Sequence, residues 1–158
     1  MSDTVAIATI ALILHAIAAV VWVGGMFFAL LALRPATAPL EPGPRLELWA
    51  RVLGRFFAWV IAAIALLLAS GYGMIFGVYA GFHGVGLHIH IMQGIGIIMM
   101  LAFFHLYFAP WRRFQAALAR QDYPAAAVQL NQIRLIVTLN LVLGLVTVAV
   151  GSSGRYWG

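Results

Sequence analysis

The chain has 158 residues, 65% of them hydrophobic and 8% charged, with a mean hydropathy of +1.03. A soluble domain carries about 25% charge and 45–50% apolar residues, so this composition excludes an ordinary water-soluble globule and fits one compact unit in lipid. The formal charge of +5 suggests an acidic partner, but the positions of the charges assign it to membrane orientation and anionic lipid, not to nucleic acid.

Four apolar stretches follow one another. Residues 5–33, 56–77 and 135–151 contain no charged side chain, and residues 87–110 contain only histidines. Each approaches or exceeds the roughly 18–20 residues that cross a ~30 Å hydrocarbon core. In lipid a helix satisfies its own backbone, and the alternation of a membrane barrel strand is absent. The fold class expected is therefore all-α, an integral membrane four-helix bundle. It forms one domain over 1–158, with helices at about 5–33, 45–77, 87–110 and 123–151. The first stretch lacks a basic leader and is too long for a signal peptide, so it reads as a retained helix.

The connections carry the orientation and the helix starts. All nine basic residues are Arg; four lie at 34–55 and four at 112–134, whereas the connection at 78–86 has none. The positive-inside rule puts both Arg-rich connections in the cytoplasm and both termini outside, with only Arg155 on the outer side. The location expected is a bacterial cytoplasmic membrane, multi-pass, with periplasmic termini. Pro44 fits the first turn of the second helix, with a Glu47–Arg51 pair at i,i+4 just beyond it. Asp122 before Tyr123-Pro124 reads as an N-cap. Trp49, Tyr107 and Trp111 read as an inner aromatic belt, and Tyr79, Tyr156 and Trp157 as an outer one.

Chemistry is left to histidine and methionine. There is no Cys, no phosphate loop and no paired carboxylate, so thiolate sites, covalent haem and hydrolytic acid–base catalysis are excluded. Ionisable groups inside a membrane point to function. His15 precedes Arg34 by about 28 Å of helix, in the outer part of the first span. His88 and His90 enter the third span from the same side, pointing to nearly opposite faces. His105 lies near the inner end.

Two sites result. His15 and His90, with His88 in reserve, suit the axial positions of a b-type haem. Gly94 would clear space for the porphyrin, and Arg155 with Ser152 or Ser153 would meet its propionates. The work expected is one-electron chemistry with a quinone, a porphyrinogen, a reactive oxygen species or a partner protein, as a haem-dependent oxidoreductase. The alternative is copper: His83, His88, Met92 and Met99 offer imidazole and thioether to copper(I), in transport or binding. Against both stands plain packing, with histidine as polar glue and methionine as filler. The small stripe Asn140, Gly144, Thr147 and Gly151, like Trp22-Val-Gly-Gly, reads as close helix packing, and Asn140 needs a partner on another helix.

His15 with Trp22-Val-Gly-Gly and Arg34-Pro35 resembles the first helix of the CopD-like (copper resistance D) membrane proteins. His88-Ile-His90-Ile-Met92-Gln93 with Phe104-His105 through Arg113 is similar to their third helix. Asn131 through Arg134, then Asn140 to Tyr156, is similar to their fourth. The resemblance implies copper handling across a bacterial inner membrane. The architecture is also similar to the HemJ-type four-helix haem proteins, which implies His15 as a haem ligand. The lysine of that family's third helix has no counterpart here.

Overall fold

The computed structural model describes residues 3–79 and 81–157, apart from the side chains of Asp3 and Arg155. Among them there are helices and turns and no strand. Helix α1 is Asp3–Phe28, α2 is Pro42–Gly77, α3 is Leu87–Phe108, α4 is Pro110–Ala119 and α5 is Tyr123–Ser153. Among the described residues four stretches are long and apolar enough to cross a membrane: Thr4–Ala36, Pro42–Gly77, Leu87–Ala119 and Tyr123–Ser153. The protein is a multi-pass α-helical membrane protein. Its outward side chains agree, since Ile7, Ile10, Val20, Leu31, Trp59, Leu101 and Leu135 stand exposed where a soluble protein would carry charge.

The helices pair before they bundle. α1 packs along α2, α3 runs along α5, and α5 holds the two pairs together through its contacts with α1 and α2. Lipid is as apolar as leucine, so this association rests on close packing. Gly25 shows it: a Cβ there would overlap the Phe56 ring of α2. The core lies towards the Arg-rich end. There Phe57 is in edge contact with Phe103 and Trp111, at centroid distances of 5.6 and 5.1 Å, and Trp22 meets Phe103.

Helix boundaries obey local chemistry. Asp122 caps α5, its Oδ1 accepting from the Ala125 amide at 3.0 Å, as its position before Tyr123-Pro124 implies. The Glu47–Arg51 pair forms at 3.7 Å on an exposed face. Two features depart from the expected pattern. α1 does not stop at Leu33: Ala29–Leu33 widens into a π-helical turn and the chain stays helical to Ala36. The third span is broken at Ala109 (φ −112°, ψ −83°), because Pro110 has no N–H to continue the ladder and disfavours helical geometry in the residue before it. α4 then lies as a separate amphipathic helix, burying Trp111, Phe114 and Ala117 while Arg112 and Arg113 face outward.

The aromatic belts need one correction. Tyr79, Tyr156 and Trp157 are exposed, but Trp49 and Trp111 are buried at 2% and 5% exposure. The indole Nε1 of Trp49 donates to Thr37 Oγ1 at 3.1 Å. These two tryptophans hold the core together and do not line an interface with lipid.

Candidate functional site

Three clusters take up the candidate residues. The first surrounds His15. Its Nδ1 lies 2.9 Å from Ser70 Oγ on α2, and that hydroxyl donates to the Leu66 carbonyl at 2.6 Å. With its hydroxyl proton directed at Leu66, Ser70 Oγ is placed to accept from a proton on His15 Nδ1. That tautomer leaves the Nε2 lone pair free. Gly71 makes room for the ring, as a Cβ there would come within 3.2 Å of His15 Cε1.

The second cluster closes the outer ends of α2 and α3. The 3₁₀ turn Phe82–Gly84 places Phe82 against Tyr72, Phe76 and the ring of His90, the last at 6.3 Å between centroids and 28° between planes. Gln93 Nε2 donates to the Tyr72 hydroxyl at 3.1 Å. Gly81, at φ 103°, supplies the left-handed residue that this turn requires. His83 stands exposed on the turn. The contacts of His15 therefore go to α2, and the ring contact of His90 goes to Phe82. His90, Gly94, Leu101 and His105 do share one face of α3, and all four are exposed there. A Cβ on Gly94 would meet nothing within 4 Å.

The third cluster is the seam between α3 and α5. A Cβ at Gly154 would overlap the base of the His88 side chain; one at Gly151 would lie 2.8 Å from Met92 Cε; one at Gly144 would lie 3.2 Å from Met99 Cε. Asn140 Nδ2 donates to the Met99 carbonyl at 3.0 Å. The His88, Met92, Met99 line thus lies along the stripe of small residues, one glycine opposite each side chain. Trp157 closes the outer end with its ring 6.3 Å from that of His88. Asn140 has the inter-helix partner its position demanded, and its Oδ1 is buried without one. The hydroxyls of Ser152 and Ser153 donate to Val148 and Ala149 within their own helix. The Arg155 side chain, expected near propionates, lies outside the described residues.

Among the described residues no three His, Cys, Asp or Glu side chains gather closely enough to hold a metal. The donors that do line up are two thioethers and one imidazole. That set suits a soft monovalent ion and not a hard divalent one.

A multi-pass helical membrane protein with a soft donor line in a helix seam is the class defined by fold and site. The chain belongs to the copper resistance protein D family, whose model matches residues 50–153, more than half its length. The match takes in α3 and α5 with His88, Met92, Met99 and two of the glycines facing them, Gly144 and Gly151, and begins after α1 and His15. No curated protein and no solved structure matches the chain.

Proposed function

We propose that this protein binds copper(I) and moves it along the α3–α5 seam. His88 is the outer ligand, Met92 and Met99 are successive inner ones, and His83 is a collector on the exposed turn. The observation carrying this reading is the alignment of the three donors, all within the part of the chain that the family model covers, opposite Gly154, Gly151 and Gly144. Thioether sulfur holds copper(I) without taking a proton, so an ion can pass between donors in an apolar seam with no charged side chain to desolvate. The order of the two candidate sites is thereby reversed: copper comes first and haem second.

Replacing Met92 and Met99 together by Leu nearly conserves volume and removes both sulfurs. We expect the double variant to fold, to lose at least about tenfold in copper(I) affinity against a chromophoric chelator, and to abolish copper-dependent growth or accumulation phenotypes. Unchanged affinity in a folded double variant rejects the seam as the route.

The haem reading keeps one specific support, the Ser70 contact at His15 Nδ1, which favours a proton there and leaves Nε2 as a haem ligand would need it. It requires the His90 ring to leave Phe82 and share a porphyrin with His15. A low-spin b-type spectrum in protein purified without added haem, lost in His15→Ala, would establish it together with its one-electron chemistry. Both readings place the protein in a bacterial inner membrane with periplasmic termini.

A further inference from the structure

The outermost donor of the seam, His88, is enclosed by residues that the family match does not reach. After Ser153 the chain enters the 3₁₀ turn Gly154–Tyr156, which packs against α3 and sets Trp157 beside His88. The two rings are 6.3 Å apart between centroids, with 73° between their planes. Gly154 gives the room for this, since a Cβ there would overlap the base of the His88 side chain. The matched residues stop at 153, so Gly154 and Trp157 lie outside them.

The imidazole is aimed by its helix. Side chains lean towards the N-terminus of a helix, and His88 does so: a Cβ on Gly86 would lie 2.8 Å from its Cε1 and 2.9 Å from its Nδ1. Nε2, at the opposite corner of the ring, is more than 4 Å from that position and is the nitrogen left for a metal. A metal on an imidazole nitrogen lies in the plane of the ring. The near-perpendicular planes therefore suit an ion that is in plane for His88 and over the face of Trp157. With ring centres 6.3 Å apart, a metal on the side of His88 that faces Trp157 stands within the roughly 6 Å over which an indole attracts a cation.

Indole is a soft, electron-rich surface, and tryptophan is the best of the aromatic side chains at holding a cation. Copper(I) takes few and soft ligands, which leaves a flank for the ring. Zinc(II) fills a tetrahedral shell with nitrogen, oxygen or thiolate donors and water, and that shell holds the ring off. The geometry points to Trp157 as a specificity-determining residue of the outer copper site, its indole face lying against copper(I) held by His88 Nε2. This rests on the copper reading of the seam and adds to it a selecting group at the outer mouth.

The test is tryptophan fluorescence of the full chain in detergent, titrated under nitrogen with copper(I) as its acetonitrile complex. Trp157 emission is taken as the difference between the parent and Trp157→Phe. Copper(I) should quench that component, His88→Ala should abolish the quenching, and zinc(II) at the same concentration should leave the emission unchanged. Affinity against a chromophoric chelator gives a second readout. Trp157→Phe keeps a ring and should stay within about threefold of the parent, whereas Trp157→Leu, apolar but without a π face, should lose about tenfold. Trp157 is 47% exposed, so neither replacement opens the core. Copper(I) that binds the parent without quenching Trp157, or equal affinities in Trp157→Phe and Trp157→Leu, would make Trp157 a packing residue and overturn the proposal while leaving the seam in place. Equal quenching by zinc(II) would overturn the selectivity. Intact Trp157 quenching with unchanged affinity in Met92→Leu/Met99→Leu would instead reject the seam as the route and keep the outer site. A parent protein that binds no copper(I) overturns both.

Discussion

At the scale of single residues, hydrogen bonds across helices fix His15 and Asn140, as well as the Gln93–Tyr72 pair. His15 is held by Ser70, and Asn140 by the Met99 carbonyl. Hydrogen bonds between membrane helices contribute about 0.6 kcal/mol on average and up to about 1.7 kcal/mol. Asn140→Ala should therefore lower unfolding stability in detergent by about 1 kcal/mol, with the loss felt between α3 and α5. For His15 the more telling measurement is the tautomer. ¹⁵N spectra of the imidazole should show the proton on Nδ1, and Ser70→Ala should give a mixture of both tautomers, since the acceptor is gone while Nε2 is unchanged. A proton on Nε2 in the parent protein would remove the argument for His15 as a ligand. The residues that stand out in sequence, an Asn and a His inside apolar stretches, were legible as needing partners. Which partner was not: Ser70 lies on a different helix, and no spacing within the chain links residues 15 and 70.

At the scale of elements, the α3–α5 seam explains why periodicity succeeded in one place and failed in another. His88, Met92 and Met99 share a face by helical spacing, and the stripe from Asn140 to Gly151 is visible in the same way. What periodicity does not give is that each stripe is the other's complement, which depends on antiparallel register. The π turn and the separate α4 were also missed. The first has no residue signature in Ala29–Leu33, whereas the Ala109-Pro110 pair did signal the second. The seam predicts unequal costs for the same substitution. Gly144→Leu would drive a side chain into Val23 and Met99 where α1, α3 and α5 meet, and should destabilise by about 2–3 kcal/mol. Gly94→Leu enters open space and should change stability by no more than about 0.5 kcal/mol. Thermal unfolding in detergent compares the two. Gly94→Leu also separates the functional readings: copper affinity should be unaffected, whereas a porphyrin seated over Gly94 would be displaced.

At the scale of the whole molecule, the two ends of the bundle differ in kind. One end carries the packed aromatic core, α4 and eight of the nine arginines; the other carries the exposed turn at Phe82–Gly84, His88 and the C-terminal aromatics. By the positive-inside rule the charge asymmetry predicts an orientation, because arginines flanking the spans are retained on the cytoplasmic side. In that orientation the proposed copper line would run from His83 and His88 on the outside to Met99 towards the interior. The absence of Cys makes the orientation directly measurable, since an introduced thiol is the sole target for a maleimide. Tyr79→Cys lies on the exposed connection between α2 and α3 and Ala119→Cys at the exposed end of α4. In intact cells a membrane-impermeant maleimide should label Tyr79→Cys and spare Ala119→Cys, and permeabilisation should make both react. Labelling of Ala119→Cys alone in intact cells would invert the protein in the membrane, and the copper line would then begin at the cytoplasm with His88 and serve export from that side.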